Sequence, residues 1–164
     1  CMNITPERAK QVDFSDSYYK TGVVLLVKKN STKITGWDSF TSGSGLKVAA
    51  QTGTLQADIA NKLKDEGKVS SVSVLNQNTT ALQQLENGDV DAVLVDKPVA
   101  VDISASQGGK FKMVGDIKPD SITDNGIAVK KGNKELLKKI NAGLKHVKEN
   151  GTYDKLAKKW KIEQ

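Results

Sequence analysis

Cysteine and histidine are almost absent, and their scarcity excludes whole classes of chemistry. The 164 residues include one cysteine, Cys1, so no disulfide can form within the chain. The only histidine is His146. One cysteine and one histidine make neither a zinc cluster nor a nucleophilic triad, so no metal, no cofactor and no catalytic group are expected. Long apolar runs are missing too. The longest, Val23 to Val27, falls far short of the ~20 residues of a membrane span and suits a buried strand. No basic segment followed by an apolar one marks a signal peptide. Arginine is nearly absent: of 25 basic residues, all but Arg8 are lysine. Reading phosphates and bases favours the arginine fork, so no nucleic-acid partner is expected.

What remains is a globular composition, with 37% hydrophobic and 27% charged residues. The net charge of +6 is uneven. From Lys130 to the C-terminus eleven lysines oppose four acids, a net +7 that leaves the rest of the chain at −1. Lysines on helix faces read as a solvated surface. The lone Arg8 suggests a place where a planar fork matters, such as a carboxylate held by two parallel hydrogen bonds.

The pattern alternates short apolar strands with amphipathic helices. Thr5-Pro6-Glu7-Arg8 is a helix start, with Thr as cap and Pro at the first helical position. Strands are expected over Val23 to Lys28, Lys47 to Ala50, around Val69, Val72 and Val74, over Ala92 to Val95, Phe111 to Val114, and at Ile127 to Val129. Helices are expected from Gly53 to Lys64 (apolar at Leu55, Ile59 and Leu63), from an Asn78 cap to Asn87, from Pro98 to about Ser106, and along Leu136, Leu137, Ile140, Leu144 and Val147. A last short helix carries Tyr153, Leu156 and Trp160, and Trp37 to Phe40 is a turn or short helical piece. Such a sequence folds as α/β with a mostly parallel sheet. Ligands of such sheets bind beyond the carboxyl ends of strands.

Three segments fall at those ends: Cys1 to Arg8, Gln51 to Leu55, and Val95 to Pro98. Thr52-Gly53-Thr54 opens a helix after a strand, where exposed backbone N–H groups and hydroxyls suit an anion. It also reads as a plain capped helix start. Asp96 ends an apolar strand, where a carboxylate suits an ammonium group. Its other reading is an N-cap for the helix at Pro98. Together the segments compose a site for an α-amino acid zwitterion: Arg8 and the Thr54 region for the carboxylate, Asp96 for the amine.

Ile4-Thr5-Pro6-Glu7-Arg8, followed by Val12-Asp13-Phe14-Ser15-Asp16 and Tyr18-Tyr19, resembles the signature of family 3 solute-binding proteins, the polar amino-acid binders. Gln51-Thr52-Gly53-Thr54, Leu85 to Ala92, Asp96-Lys97-Pro98, Gly126-Ile127-Ala128 and Asn150-Gly151-Thr152-Tyr153 to Trp160 follow in the family's order. The resemblance implies a two-lobe, hinged, periplasmic-binding-protein-like type II fold with one complete lobe, residues 23–123, and an incomplete one, residues 1–22 and 124–164. It implies that the ligand lies between lobes that close on it. Arg8 would hold the α-carboxylate, helped by backbone around Cys1 and Asn3 and by Thr54 and Leu55. Asp96 would hold the α-ammonium, and Gln51 would lie beside the ligand side chain. Hinge crossings are expected near Tyr19 and Gly22 and near Asn125 and Gly126. The implied role is delivery of a polar or basic L-amino acid to the membrane subunits of an ABC importer, outside the cytoplasm. Rival roles on this fold are a receptor's sensor domain and a dehydratase-like enzyme.

The sequence also departs from the family. Glycine is usual where Cys1 stands, and Cys1 reads as a lipid-bearing start, a substitution or a buried strand-end thiol. The elements that normally precede Cys1, with the aromatic clamp, are absent. The C-terminal helices then present apolar faces without a sheet to cover. Completion by a second copy is one expectation, and loss by proteolysis or engineering is the other.

Overall fold

The chain is described by a computed structural model covering residues 2–42, 45–107, 109–160 and 162. Cys1 lies outside the described residues. The backbone divides into two compact units, Cys1–Thr21 with Ile122–Gln164, and Gly22–Ser121.

The second unit is a sheet covered on both faces. Its strands are β4 (Val23–Lys28), β5 (Lys47–Gln51), β6 (Ser71–Leu75), β7 (Ala92–Asp96) and β8 (Phe111–Val114), in spatial order β6-β5-β7-β4-β8. β5 runs parallel to β6 and to β7, whereas β4 runs antiparallel to β7 and β8. Four strands therefore share one direction, as the alternating pattern predicts. The exception, β4, sits inside the sheet, so half of the pairings are antiparallel. β5, β6 and β7 are joined through α3 (Leu55–Asp65) and α4 (Asn78–Asn87), the crossovers that parallel strands require, whereas no crossover helix leads into β4.

Side chains alternate across the sheet. Val23, Leu25 and Val27 of β4, Val48 and Ala50 of β5, and Ala92 and Leu94 of β7 pack with Phe40, Ala57, Ala60 and Leu63. Val24 and Leu26, Ala49, and Val93 and Val95 point the other way. They pack with Ala81, Leu82 and Leu85 of α4 and with Ala100 and Ile103 of α5 (Lys97–Ser106). Burial on both faces is why these strands read as continuous apolar runs.

Details differ from expectation. The buried side of α3 is Gln56, Ala57, Ala60 and Leu63, with Leu55 and Ile59 only partly covered. Two alanines let the helix approach the sheet, which turns the stripe by one position. Thr54 caps α3, accepting from the backbone N–H of Ala57, so the helix begins at Leu55 and not at Gly53. Gln77 occupies the cap position of α4 without a side-chain bond, so the capping role expected of Asn78 is not realised. Val69 precedes its strand, and Val74 is 42% exposed on the edge strand β6. Gly115 has φ +69°, and a Cβ there would lie 2.8 Å from the Gly36 Cα. Only glycine permits that contact beside α2 (Trp37–Thr41).

The first unit is built from short pieces. β1 (Met2–Asn3), β9 (Thr123–Gly126) and β3 (Tyr19–Thr21) form an antiparallel sheet in that order, and β10 (Ala128–Lys130) pairs with β2 (Val12–Phe14). α1 (Pro6–Gln11) starts at a Thr5 cap that accepts from the Arg8 N–H. α6 (Lys134–Glu149) and α7 (Thr152–Trp160) follow. Tyr153 of α7 donates to the Tyr18 carbonyl, and Lys148 of α6 donates to the Ser17 carbonyl at 3.0 Å. Both helices are thus pinned to the segment leading into β3. Their expected apolar stripes are poorly covered. α6 has no buried residue, and Leu136, Leu156 and Trp160 are 44%, 47% and 63% exposed. His146 is an exposed residue of α6.

Asp13 of β2 accepts from the Gly132 N–H at 2.7 Å and pairs with Lys131 at 2.9 Å. The backbone bond first, and then Lys131, hold its carboxyl below the ordinary aspartate range. The folded value lies below the unfolded one. The contribution is therefore complete above the unfolded value of about 3.9 and is lost as the pH falls toward the folded one. Thermal midpoints of the wild type and of Asp13→Asn are expected to differ at pH 6 and to converge as the pH drops below about 4. A gap that persists at the acid end would contradict this account.

Candidate functional site

In the first unit the signature segment makes a compact polar knot. The Asn3 amide donates to Thr123 Oγ1 at 2.7 Å and to Asn125 Oδ1 at 3.2 Å. Asn3 and Asn125 are both buried. These bonds tie β1 to its partner β9, so the Asn3 side chain is engaged within the sheet. Its carbonyl accepts from Arg8 Nη1 at 3.2 Å. Arg8 lies in α1 and is half-buried. Its guanidinium is thereby anchored to the end of β1. Tyr19 pairs with Asn125 across β3 and β9, and Gly126 pairs with Met2. A Cβ on Gly126 would meet Ile4 at 3.1 Å and Phe14 at 3.3 Å, so a side chain there would require those neighbours to give way by a few tenths of an ångström.

In the second unit β5 and β7 are parallel neighbours, so the loops after them share the carboxyl edge of the sheet. Gln51 ends β5, and its amide donates to the Asn76 carbonyl at 3.1 Å. Thr54 donates to the Gln51 carbonyl at 2.6 Å and caps α3, whose first residue is Leu55. The Thr54 hydroxyl is therefore occupied in shaping the turn, and Gly53 adopts φ +70° to make it. Gly22 opens this unit; its carbonyl accepts from the Lys97 N–H at 3.1 Å.

Asp96 ends β7 at the N-cap position of α5, but its side chain makes no cap hydrogen bond. Its Oδ1 is buried and has no hydrogen-bond partner. Burial raises the carboxyl above the ordinary aspartate range, and the Gln56 side chain partly offsets this. A carboxylate that neither caps its helix nor meets a cation is costly to keep buried. Of its two sequence readings, the cap is therefore the weaker. Gln56 was not singled out in the sequence. The available signal was its position at i, i+4, i+7 with Ala60 and Leu63, a glutamine on a sheet-facing stripe.

A cleft of about 410 Å³ beside Trp37, Lys62, Glu66, Lys118 and Asp120 holds none of the residues expected in a site. Its charges are matched internally, with Lys68 on Glu66 and Lys118 on Asp120. No group of three or more metal-ligating side chains occurs among the described residues.

Residues 1–163 match the model of the bacterial extracellular solute-binding proteins, family 3. The chain is 38% identical to the glutamine-binding protein of a Bacillus subtilis ABC transporter, over 97% of this chain and 55% of that protein. It is 31% identical to arginine-binding protein 1 of an Escherichia coli ABC transporter, over 97% of this chain and 63% of that protein. It thus spans less than two thirds of these relatives. Among solved structures, an ancestral arginine-binding protein bound to glutamine superposes with a TM-score of 0.86 at 39% identity, covering 99% of this chain and 69% of that one. An ancestral amino acid-binding protein, a precursor of cyclohexadienyl dehydratase, gives 0.83 at 36% identity, covering 99% and 66%.

Proposed function

The chain belongs to family 3 of the bacterial extracellular solute-binding proteins, and on that premise we propose that it takes up a free polar or basic L-amino acid for an ABC importer, outside the cytoplasm. The observation that carries this reading is Asp96, whose buried Oδ1 has no partner. An α-ammonium group supplies three donors and a positive charge, which is what that oxygen lacks. The ligand's α-carboxylate is assigned to Arg8, whose planar fork matches two carboxylate oxygens. In the second unit, the turn at Thr54 and Leu55 are proposed as further carboxylate contacts, and Gln51 as a contact for the ligand side chain. Relatives named for glutamine and arginine support an amide- or guanidinium-bearing ligand.

Binding to the folded chain alone raises its thermal midpoint by mass action. A ligand at 100 times its Kd adds about 2.7 kcal/mol. Unfolding scans with L-glutamine, L-arginine, L-lysine, L-histidine and L-glutamate are expected to show a concentration-dependent rise for at least one of them. Five unchanged midpoints at millimolar concentration would remove the proposal. The role is binding rather than turnover, and an unaltered ligand recovered after overnight incubation checks it.

Pairing of two copies across the exposed Leu136, Leu156 and Trp160 is a further part of the proposal, resting on the extent of that apolar surface. Sedimentation at micromolar concentration is expected to show a dimer, which Trp160→Lys converts to a monomer. A compact monomer at all concentrations would dispose of pairing without touching the amino-acid site.

A further inference from the structure

The chain passes between the two units twice, from Thr21 to Gly22 and from Ser121 to Ile122. On the side of the first unit the passages are paired. β3 and β9 run antiparallel, with Tyr19 opposite Asn125, Lys20 opposite Asp124 and Thr21 opposite Thr123. Each step moves one residue forward on one strand and one back on the other. Two steps beyond the last pair the same register reaches Val23 and Ser121, which belong to the second unit. These two are hydrogen-bonded where the backbone ladder has ended: the Val23 N–H donates to the Ser121 hydroxyl at 2.8 Å. That hydroxyl donates in turn to the Lys118 carbonyl at 2.6 Å, and the Lys118 N–H donates to the Val23 carbonyl at 3.0 Å. Val23 and Ser121 are 0% and 1% exposed, so water does not compete for these bonds. Ser121 closes a short 3-10 turn, Pro119–Ser121, whose backbone is no longer extended. Its side chain supplies the acceptor that an extended strand would have supplied from its backbone.

We propose that Ser121 is the positioning residue of a hinge: its hydroxyl extends the β3–β9 ladder by one side-chain rung, so that the two chain passages bend as one paired ribbon. Two separate strands can twist about each other as well as bend. Strands bonded before and after the passage are held in register, and freedom is confined to Gly22 and Ile122, the single residues between the rungs. A few such positions are enough to absorb the φ/ψ change of a domain movement. A hydroxyl is the chemistry this rung needs. A backbone rung would require both strands to stay extended on both sides of the passage. A hydroxyl rotates, accepts and donates at once, and keeps the Val23 N–H bonded while the backbone at Ser121 turns away. An apolar residue there would leave that buried N–H unpaired. This role does not depend on Asp96 or on which ligand is bound.

Ser121→Ala removes the rung. Hydrogen exchange of the backbone amides is followed by NMR in the wild type, in Ser121→Ala and in Thr21→Val. Thr21 Oγ1 is buried at the same passage without a hydrogen-bond partner, so Thr21→Val is the control for losing a hydroxyl there. In Ser121→Ala the expected result is about tenfold faster exchange at Val23, the size of one net hydrogen bond. A parallel rise is expected across the passage, at the protected amides of Lys20, Thr21, Thr123 and Asp124. Leu94 and Val129, which report on the second and the first unit respectively, are expected to keep their rates. Val23 is expected to keep its rate in Thr21→Val. A rise confined to Val23, or an equal rise at Leu94 and Val129, would make Ser121 a structural group and overturn the hinge role, as would an unchanged Val23. The wild type supplies a second test that needs no substitution. At low denaturant concentrations Val23 and the protected ladder amides are expected to open with one shared free energy, lower than that of Leu94. Different opening free energies on the two sides of the passage would overturn the paired ribbon.

Discussion

Replacing Asp96 with asparagine is expected to weaken amino-acid binding about 100-fold and to stabilise the ligand-free chain at neutral pH. The two effects have one cause. Asparagine preserves shape but replaces the charge with an amide, whose N–H group can face the ligand's ammonium donor to donor. Breaking a buried charged pair costs about 2–5 kcal/mol, or roughly 30-fold to several thousand-fold in affinity. The stability change follows from linkage. Burial raises the Asp96 carboxyl in the folded state, so the fold favours the protonated form. Stability therefore declines as the pH climbs from the unfolded value toward the folded one, and the cost is fully present above both. A neutral asparagine escapes that cost. The thermal midpoint of Asp96→Asn is therefore expected to exceed that of the wild type at pH 7, with the gap closing at acid pH. A group placed for stability would behave oppositely: its loss would lower the midpoint. Scans at pH 3 and pH 7, paired with calorimetry, decide between the two.

Leu25→Ala is expected to cost about 3–4 kcal/mol. Leu25 is 0% exposed at the centre of β4, where it pairs with Leu94 on one side and Val114 on the other. Removing it loses transfer energy and leaves a cavity that fixed neighbours on both strands prevent from closing. Against a typical total of about 5–15 kcal/mol, that is a large share of the stability. Val74→Ala on the exposed edge strand is the matched control and is expected to change stability by about 0.5 kcal/mol or less. Chemical denaturation of both variants measures the difference. Equal midpoints would place the core elsewhere.

The second unit was legible in sequence because its central strands are buried on both faces. Val23 to Lys28 was placed to the residue, and Ala92 to Val95 fell one short, since β7 runs on to Asp96. Unbroken runs of Val and Leu have few other uses. The strands of the first unit were mostly missed. Tyr19–Thr21 and Thr123–Gly126 are three and four residues long and largely polar. Neither alternates between apolar and polar, because each is held by side-chain bonds such as Asn3 to Thr123 as much as by burial. The site was half legible. A carboxylate ending an apolar strand pointed to Asp96, but the sequence could not separate a cap from a ligand group. The missing cap bond weighs against the cap, and the unpartnered Oδ1 is what the proposal for a ligand group rests on. Gln56 was not legible because a glutamine at the second position of a helix ordinarily faces water. In the fold it is buried on the same side of α3 as Ala57, Ala60 and Leu63.

The most direct test of the central claim is calorimetric titration of the wild-type chain with L-glutamine and L-arginine at pH 7, with Asp96→Asn alongside. Saturable one-site binding of at least one ligand by the wild type, weakened about 100-fold in the variant, is the predicted result. Equal binding by both proteins, or heats indistinguishable from dilution in the wild type, would contradict it.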